Sequence, residues 1–226
     1  GVYIGWGISI YKRVIQKSVR NVLIFIAELI IFWFVVRTTK YFFTMDNQIA
    51  RYLWYSYYIP MLFIPVAVLQ AAFFLGKSEE YRLPKWLKGV YIPTAVLVLL
   101  VLSNDLHQLV FSFPAGSAWP DSHYTYGWGY YVVLIWEVVC ALTAFVLMIY
   151  KCRHSQKKKY LPLFGIGAAV LYAVLFISGV AWVQEIGGDI TAVLCLFFVG
   201  ILESCVRCGL IQTNTGYDQL FEVCTL

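Results

Sequence analysis

Charge is what this chain has least of. Only 13% of its 226 residues are Asp, Glu, Lys or Arg, against about 25% in soluble domains. Apolar residues make up 61%. That balance excludes an ordinary water-soluble enzyme, because too little polar surface remains to clothe a globule of this size. Lys and Arg are missing altogether from two connections, 114–126 and 184–189. No lysine falls within the body of an apolar run, which excludes a Schiff-base chromophore carrier between helices. No Gly-rich phosphate loop, nucleophile elbow or H-x-x-x-H pair occurs, so those chemistries have no machinery here. A signal peptide is lacking too, since apolar residues 1–10 precede the first charges instead of following them. None of the six cysteines (Cys140, Cys152, Cys195, Cys205, Cys208 and Cys224) lies in the two connections that lack Lys and Arg. Reduced thiols are expected. Cys205 and Cys208 have C-x-x-C spacing but no second pair and no nearby His, so they read as small apolar residues ending a helix.

Long apolar runs are abundant. They cover residues 21–43, 52–76, 89–113, 127–150, 160–183 and 187–206, each near or above the ~20 residues that cross a bilayer as a helix. Fourteen of the 17 basic residues fall at every second connection. Lys12, Arg13, Lys17 and Arg20 precede the first run; Lys77, Arg82, Lys85 and Lys88 follow the second. Lys151, Arg153 and Lys157–Lys159 follow the fourth, and Arg207 closes the last. The positive-inside rule puts these blocks, and the C-terminus, in the cytoplasm. Residues 1–10 read as the tail of a truncated span. The expected fold is therefore an all-α, polytopic transmembrane helix bundle with six complete spans plus that tail. It occupies residues 1–208, and 209–226 begin a cytoplasmic output linker. The net charge of +5 is spread over the connections, so it marks topology and lipid contact, not nucleic-acid binding. No cofactor and no metal site are expected.

Within the runs, Pro60 and Pro65 predict a kink, and the Gly/Ala-rich run at 160–183 suits close helix contact. Ionisable groups inside a bilayer cost ~2.5–3.5 kcal/mol each, so each needs a reason. Glu203 and Arg207 are one turn apart and predict an ion pair. Asp189 can cap the last span. Glu28 reads as a structural partner. Asp105 and Glu137 fall at similar depth, about 12 and 15 Å below the outer ends of their spans. Asn104, His107 and Gln108 surround Asp105, and Trp136 and Trp128 accompany Glu137. These seven residues are the candidate ligand-binding set, open to the outside and roofed by loop aromatics. The same groups also fit an interhelical hydrogen-bond cluster that binds nothing, and both readings stand at this point.

Four stretches together resemble the seven-transmembrane N-terminal sensor region of bacterial histidine kinases. They are Ser103-Asn-Asp-Leu-His-Gln-Leu-Val-Phe, Tyr126-Gly-Trp-Gly-Tyr-Tyr, Trp136-Glu137 and Gly209-Leu-Ile-Gln-Thr-Asn-Thr-Gly-Tyr-Asp-Gln-Leu-Phe. The resemblance implies a non-enzymatic signal-input module in the cell membrane. It implies a cytoplasmic signalling domain in the same parent chain, a small-molecule or membrane-derived stimulus, and a homodimer. A proton-coupled transporter or a membrane enzyme using Asp105, His107 and Glu137 is the alternative. A transporter would show inverted repeats, and none is evident.

Overall fold

The computed structural model describes residues 2–42, 47–78, 80–114, 124–153, 160–187, 190–211 and 213. The elements are α1 (Val2–Arg13), α2 (Lys17–Phe42), α3 (Asn47–Ser56), α4 (Tyr58–Phe74), α5 (Lys85–Gly89), α6 (Tyr91–Leu102) and α7 (Asn104–His107). A two-stranded antiparallel hairpin follows, β1 (Phe111–Ser112) and β2 (Thr125–Tyr126). Then come α8 (Trp128–Arg153), α9 (Tyr160–Ile177), α10 (Ala181–Gly187) and α11 (Ile190–Arg207).

Prolines divide the apolar runs. Pro60 has no N–H to offer the Ser56 carbonyl, and the helix breaks there, at Tyr57. Tyr57 donates instead to Trp54, in a tighter turn. Pro93 does the same to the Gly89 carbonyl, and α5 gives way to α6 at Val90. Among the described residues, four helical segments are long and apolar enough to cross a membrane: 17–40, 48–74, 85–102 and 128–151. α9 is apolar but shorter.

The run read as 160–183 is not one helix. It stops at Ile177 because Gly179 adopts a left-handed conformation, φ +77°. The N–H groups of Gly179 and Val180 turn back to the Phe176 and Leu175 carbonyls, a Schellman closure that an unsubstituted Cα makes accessible. α11 ends in the same way. Gly209 (φ +69°) donates to Val206, and Leu210 to Cys205. Cys205 and Cys208 are the buried closing residues of that turn. The Asp189 position and residues 214–226 lie outside the described residues.

α4 is the central helix. It packs against α2, α6 and α8, and 72% of the most apolar 18-residue stretch of 48–74 is buried, against 22% of that of 128–151. The outward faces of its neighbours are apolar: Ile92, Val96 and Leu99 on α6, and Ile135, Val139 and Leu142 on α8 are all exposed. Lipid solvates such faces at no cost, so close fit rather than water exclusion holds the helices together. Where α9 meets α11, a Cβ on Gly165 would stand only 3.0 Å from Ile201.

Four connections bearing basic residues meet at one end of the bundle. Gln16 donates to the Ser78 carbonyl (3.0 Å), and Gly76 to the Leu210 carbonyl (2.9 Å). Val14 forms an isolated bridge with Thr213, and Lys151 donates to the Phe73 carbonyl. The β1–β2 hairpin lies between α7 and α8, away from this basic end. Glu28, near the middle of α2, is exposed on the bundle surface.

Candidate functional site

The candidate site forms where α6 ends. Ser103 folds its hydroxyl back onto the Leu99 carbonyl (2.7 Å), and α7 makes a single further turn. Gln108 then enters the left-handed region (φ +50°) and donates its N–H to the Asn104 carbonyl. The chain reverses there into β1.

Asn104 is the hub of this reversal. It is fully buried. Its amide donates to the Phe111 carbonyl (2.8 Å) and the Tyr55 hydroxyl (3.1 Å). Its oxygen accepts the N–H groups of Val110 and Phe111, each at 3.0 Å. Every donor and acceptor of the side chain serves the fold. His107 is similarly occupied: Nδ1 accepts the Leu109 N–H (3.0 Å). Nε2 therefore carries the proton of the neutral ring and donates to the Leu100 carbonyl (3.1 Å). Gln108 accepts the Phe113 N–H through its side chain (3.3 Å).

Asp105 accepts a short hydrogen bond from the Tyr55 hydroxyl (2.7 Å) and faces Arg51 at 3.5 Å. The Arg51 guanidinium stacks 4.3 Å over Phe113. Arg51 and Tyr55, one turn apart on α3, are site residues that sequence reasoning did not name. The i, i+4 spacing of a cation and a phenol in the aromatic stretch was their only local signal.

Phe111 carries the aromatic packing. Its ring meets Trp54 (4.5 Å), Tyr58 (5.7 Å), Tyr124 (5.7 Å) and Tyr130 (5.9 Å), and lies parallel to Tyr55 (6.1 Å). Burial pushes the Tyr124 hydroxyl up to about 12, with its hydrogen bond to Tyr126 adding to the shift. The glycines of Tyr126-Gly-Trp-Gly are required by the hairpin. Gly127 donates to the Val110 carbonyl and Gly129 to the Leu109 carbonyl. A Cβ on Gly127 would collide with that Leu109 carbonyl, and one on Gly129 would come within 3.0 Å of it. Trp128 between them is exposed.

Glu137 is carried by α8, a different element from Asp105. It falls on the inward stripe of α8 that also carries the buried Val133, Cys140, Ala144 and Met148. It lies within electrostatic reach of the Tyr58 and Tyr130 hydroxyls. Among the described residues nothing hydrogen-bonds to it. Trp136 turns instead to α6, donating to the buried Thr94 hydroxyl (3.1 Å). The structure thus joins Asn104 and Asp105 through Tyr55 and leaves His107 and Gln108 within their own turn. No hydrogen bond among the described residues joins Glu137 to them. Among the described residues no three His, Cys, Asp or Glu side chains converge as a metal would need.

A second polar centre lies at the basic end. Glu203 and Arg207 are 2.8 Å apart. The same carboxylate also accepts the Arg13 guanidinium (2.7 Å) and the Trp6 indole N–H (3.2 Å). Both donors come from α1, some 190 residues away in sequence, where local spacing gives no signal.

Lipid-faced helices around polar centres at both ends define a membrane-embedded region. Residues 1–206 match the family model described as the N-terminal 7TM region of histidine kinase, and the chain belongs to that family. That region is the input part of a kinase and is not itself catalytic. No curated protein and no solved structure matches the chain.

Proposed function

We propose that the chain is the multi-pass sensor of a histidine kinase in the plasma membrane. It would cross the bilayer with six complete spans, its basic end in the cytoplasm. A stimulus from outside, or from within the membrane, would be felt at the hairpin end and passed to a cytoplasmic output domain through α11. Family membership and the gathering of basic connections at one end support this reading. Of the seven candidate residues, Asn104, His107, Gln108 and Trp136 have their polar groups engaged within the fold.

The observation that carries the stimulus site is Glu137. It is an inward-facing carboxyl, walled by tyrosines and without a hydrogen-bond partner among the described residues. A group that costs several kcal/mol to bury and does nothing for the resting fold is suited to a second state. In that state it would gain a donor, from a stimulus or from a repacked helix. A stimulus shifts two arrangements only by its differential affinity for them. One hydrogen bond to a charged group, about 1.5–3 kcal/mol, allows a shift of roughly 10- to 100-fold. The test is Glu137→Gln in the full-length parent protein in membranes. Insertion and thermal stability should stay at wild-type levels, while autophosphorylation should lose its dependence on stimulus. A normal response would remove Glu137 from the sensor.

A further inference from the structure

At the basic end, one carboxylate oxygen holds two arginines. Arg13 reaches Glu203 from α1, and its side chain is only 10% exposed. Arg207 reaches it from one turn further along α11 and is 69% exposed. The Trp6 indole binds the other carboxylate oxygen. Directly beyond lies the exit of the bundle. Cys208, Leu210 and Ile211 are buried there, with Leu210 held by Gly76 and Thr213 by Val14. The first helix, the connection after α4 and the exit segment therefore share one contact region.

We propose that the Arg13–Glu203 pair is a catch whose opening lets the exit residues 208–211 leave their seat. The arrangement of spare partners argues for this. Breaking a buried ion pair is normally expensive because one charge is left without a partner. Here neither is. When Arg13 lets go, Glu203 keeps Arg207, and Arg13 keeps the Ser9 hydroxyl at 3.4 Å. The long arginine side chain can also snorkel to the headgroup region at that end. The closed and open states each satisfy the carboxylate, so the gap between them is small enough for a signal to cross. A purely structural pair has no need of the second arginine.

The catch rests on the sensor reading only for its purpose, since its test needs neither stimulus nor output domain. Cys208 is a native thiol seated in the contact region and only 8% exposed. The 226-residue chain, with Cys208 as its sole cysteine, is reconstituted in liposomes and exposed to a membrane-impermeant maleimide at the basic end. Arg13→Gln and Glu203→Gln should each speed labelling at least about tenfold, since removing one partner of a buried pair is strongly destabilising. Arg207→Gln should leave the rate unchanged or slow it, because it removes the partner that supports the open state. Trp6→Phe, a milder change that spares both charges, should give a small acceleration. The catch is overturned if Arg207→Gln speeds labelling as much as Arg13→Gln does. It is also overturned if Arg13→Gln stays within about twofold of wild type, a margin that a solvent-screened pair would give. Should Arg13→Gln fail to fold, Trp6→Phe together with Arg13→Lys decides, and wild-type labelling in both rejects the catch. Such a failure leaves the proposed role of Glu137 standing.

Discussion

Replacing Asn104 with Ala removes four hydrogen bonds in one step and is the most demanding test of the hairpin end. The Val110 and Phe111 N–H groups and the Phe111 carbonyl all lose their side-chain partner. Tyr55 keeps its bond to Asp105. An orphaned buried group costs about 1–3 kcal/mol, so three orphans sum to roughly 3–9 kcal/mol. Water can reach part of the hairpin end and re-satisfy some of them, which brings the expected loss to about 3–5 kcal/mol. At roughly 2–4 °C per kcal/mol for a chain of this size, the melting temperature in detergent should fall by about 10 °C. Gln108→Ala loses one 3.3 Å bond at an exposed position and is the control, with a fall of no more than about 3 °C. A fall below about 3 °C for Asn104→Ala would show that the hub does not hold the turn. Asn104 would then return to the list of groups free to bind a ligand.

Gly127→Ala places a methyl group against the Leu109 carbonyl. A loss of about 1–3 kcal/mol is expected, read as a lower melting temperature and a change in tryptophan fluorescence from Trp128 beside it; wild-type behaviour would mean the hairpin relaxes without strain. For topology, Asp121→Cys should react with an impermeant thiol reagent from outside the cell and Ser155→Cys only after the inner face is opened. The reverse pattern would invert the bundle.

Much of the helical layout follows from short-range rules. Fifteen or more apolar residues between charged connections leave little choice but a helix in lipid, because no water is present to satisfy an unpaired backbone. The interruption at Tyr57 follows from Pro60, and the Glu203–Arg207 pair from its four-residue spacing. Gly179 shows the limit of hydropathy alone. The run stays apolar through it, so a hydropathy reading passes straight across a residue whose conformation ends the helix. The roles within the site were harder to read. Asn104, Asp105 and His107 look alike in sequence, as polar groups at the end of a span. Only the fold shows that Asn104 and His107 spend their capacity on nearby backbone, while Glu137, one residue from a tryptophan that is engaged, has no hydrogen-bond partner among the described residues. Arg13 is the extreme case. In sequence it is one more positive residue in a topogenic block, and its half-buried carboxylate partner lies 190 positions away.

The left-handed glycine at 209 has a mechanical consequence. In an unbroken α-helix, each inserted residue rotates everything downstream by about 100°, so a twist at one end arrives as torque at the other. The reversal after Cys208 uncouples that rotation. Motions of α11 along its axis, or a lean of the whole helix, are carried across the turn, whereas spinning about the axis is absorbed there.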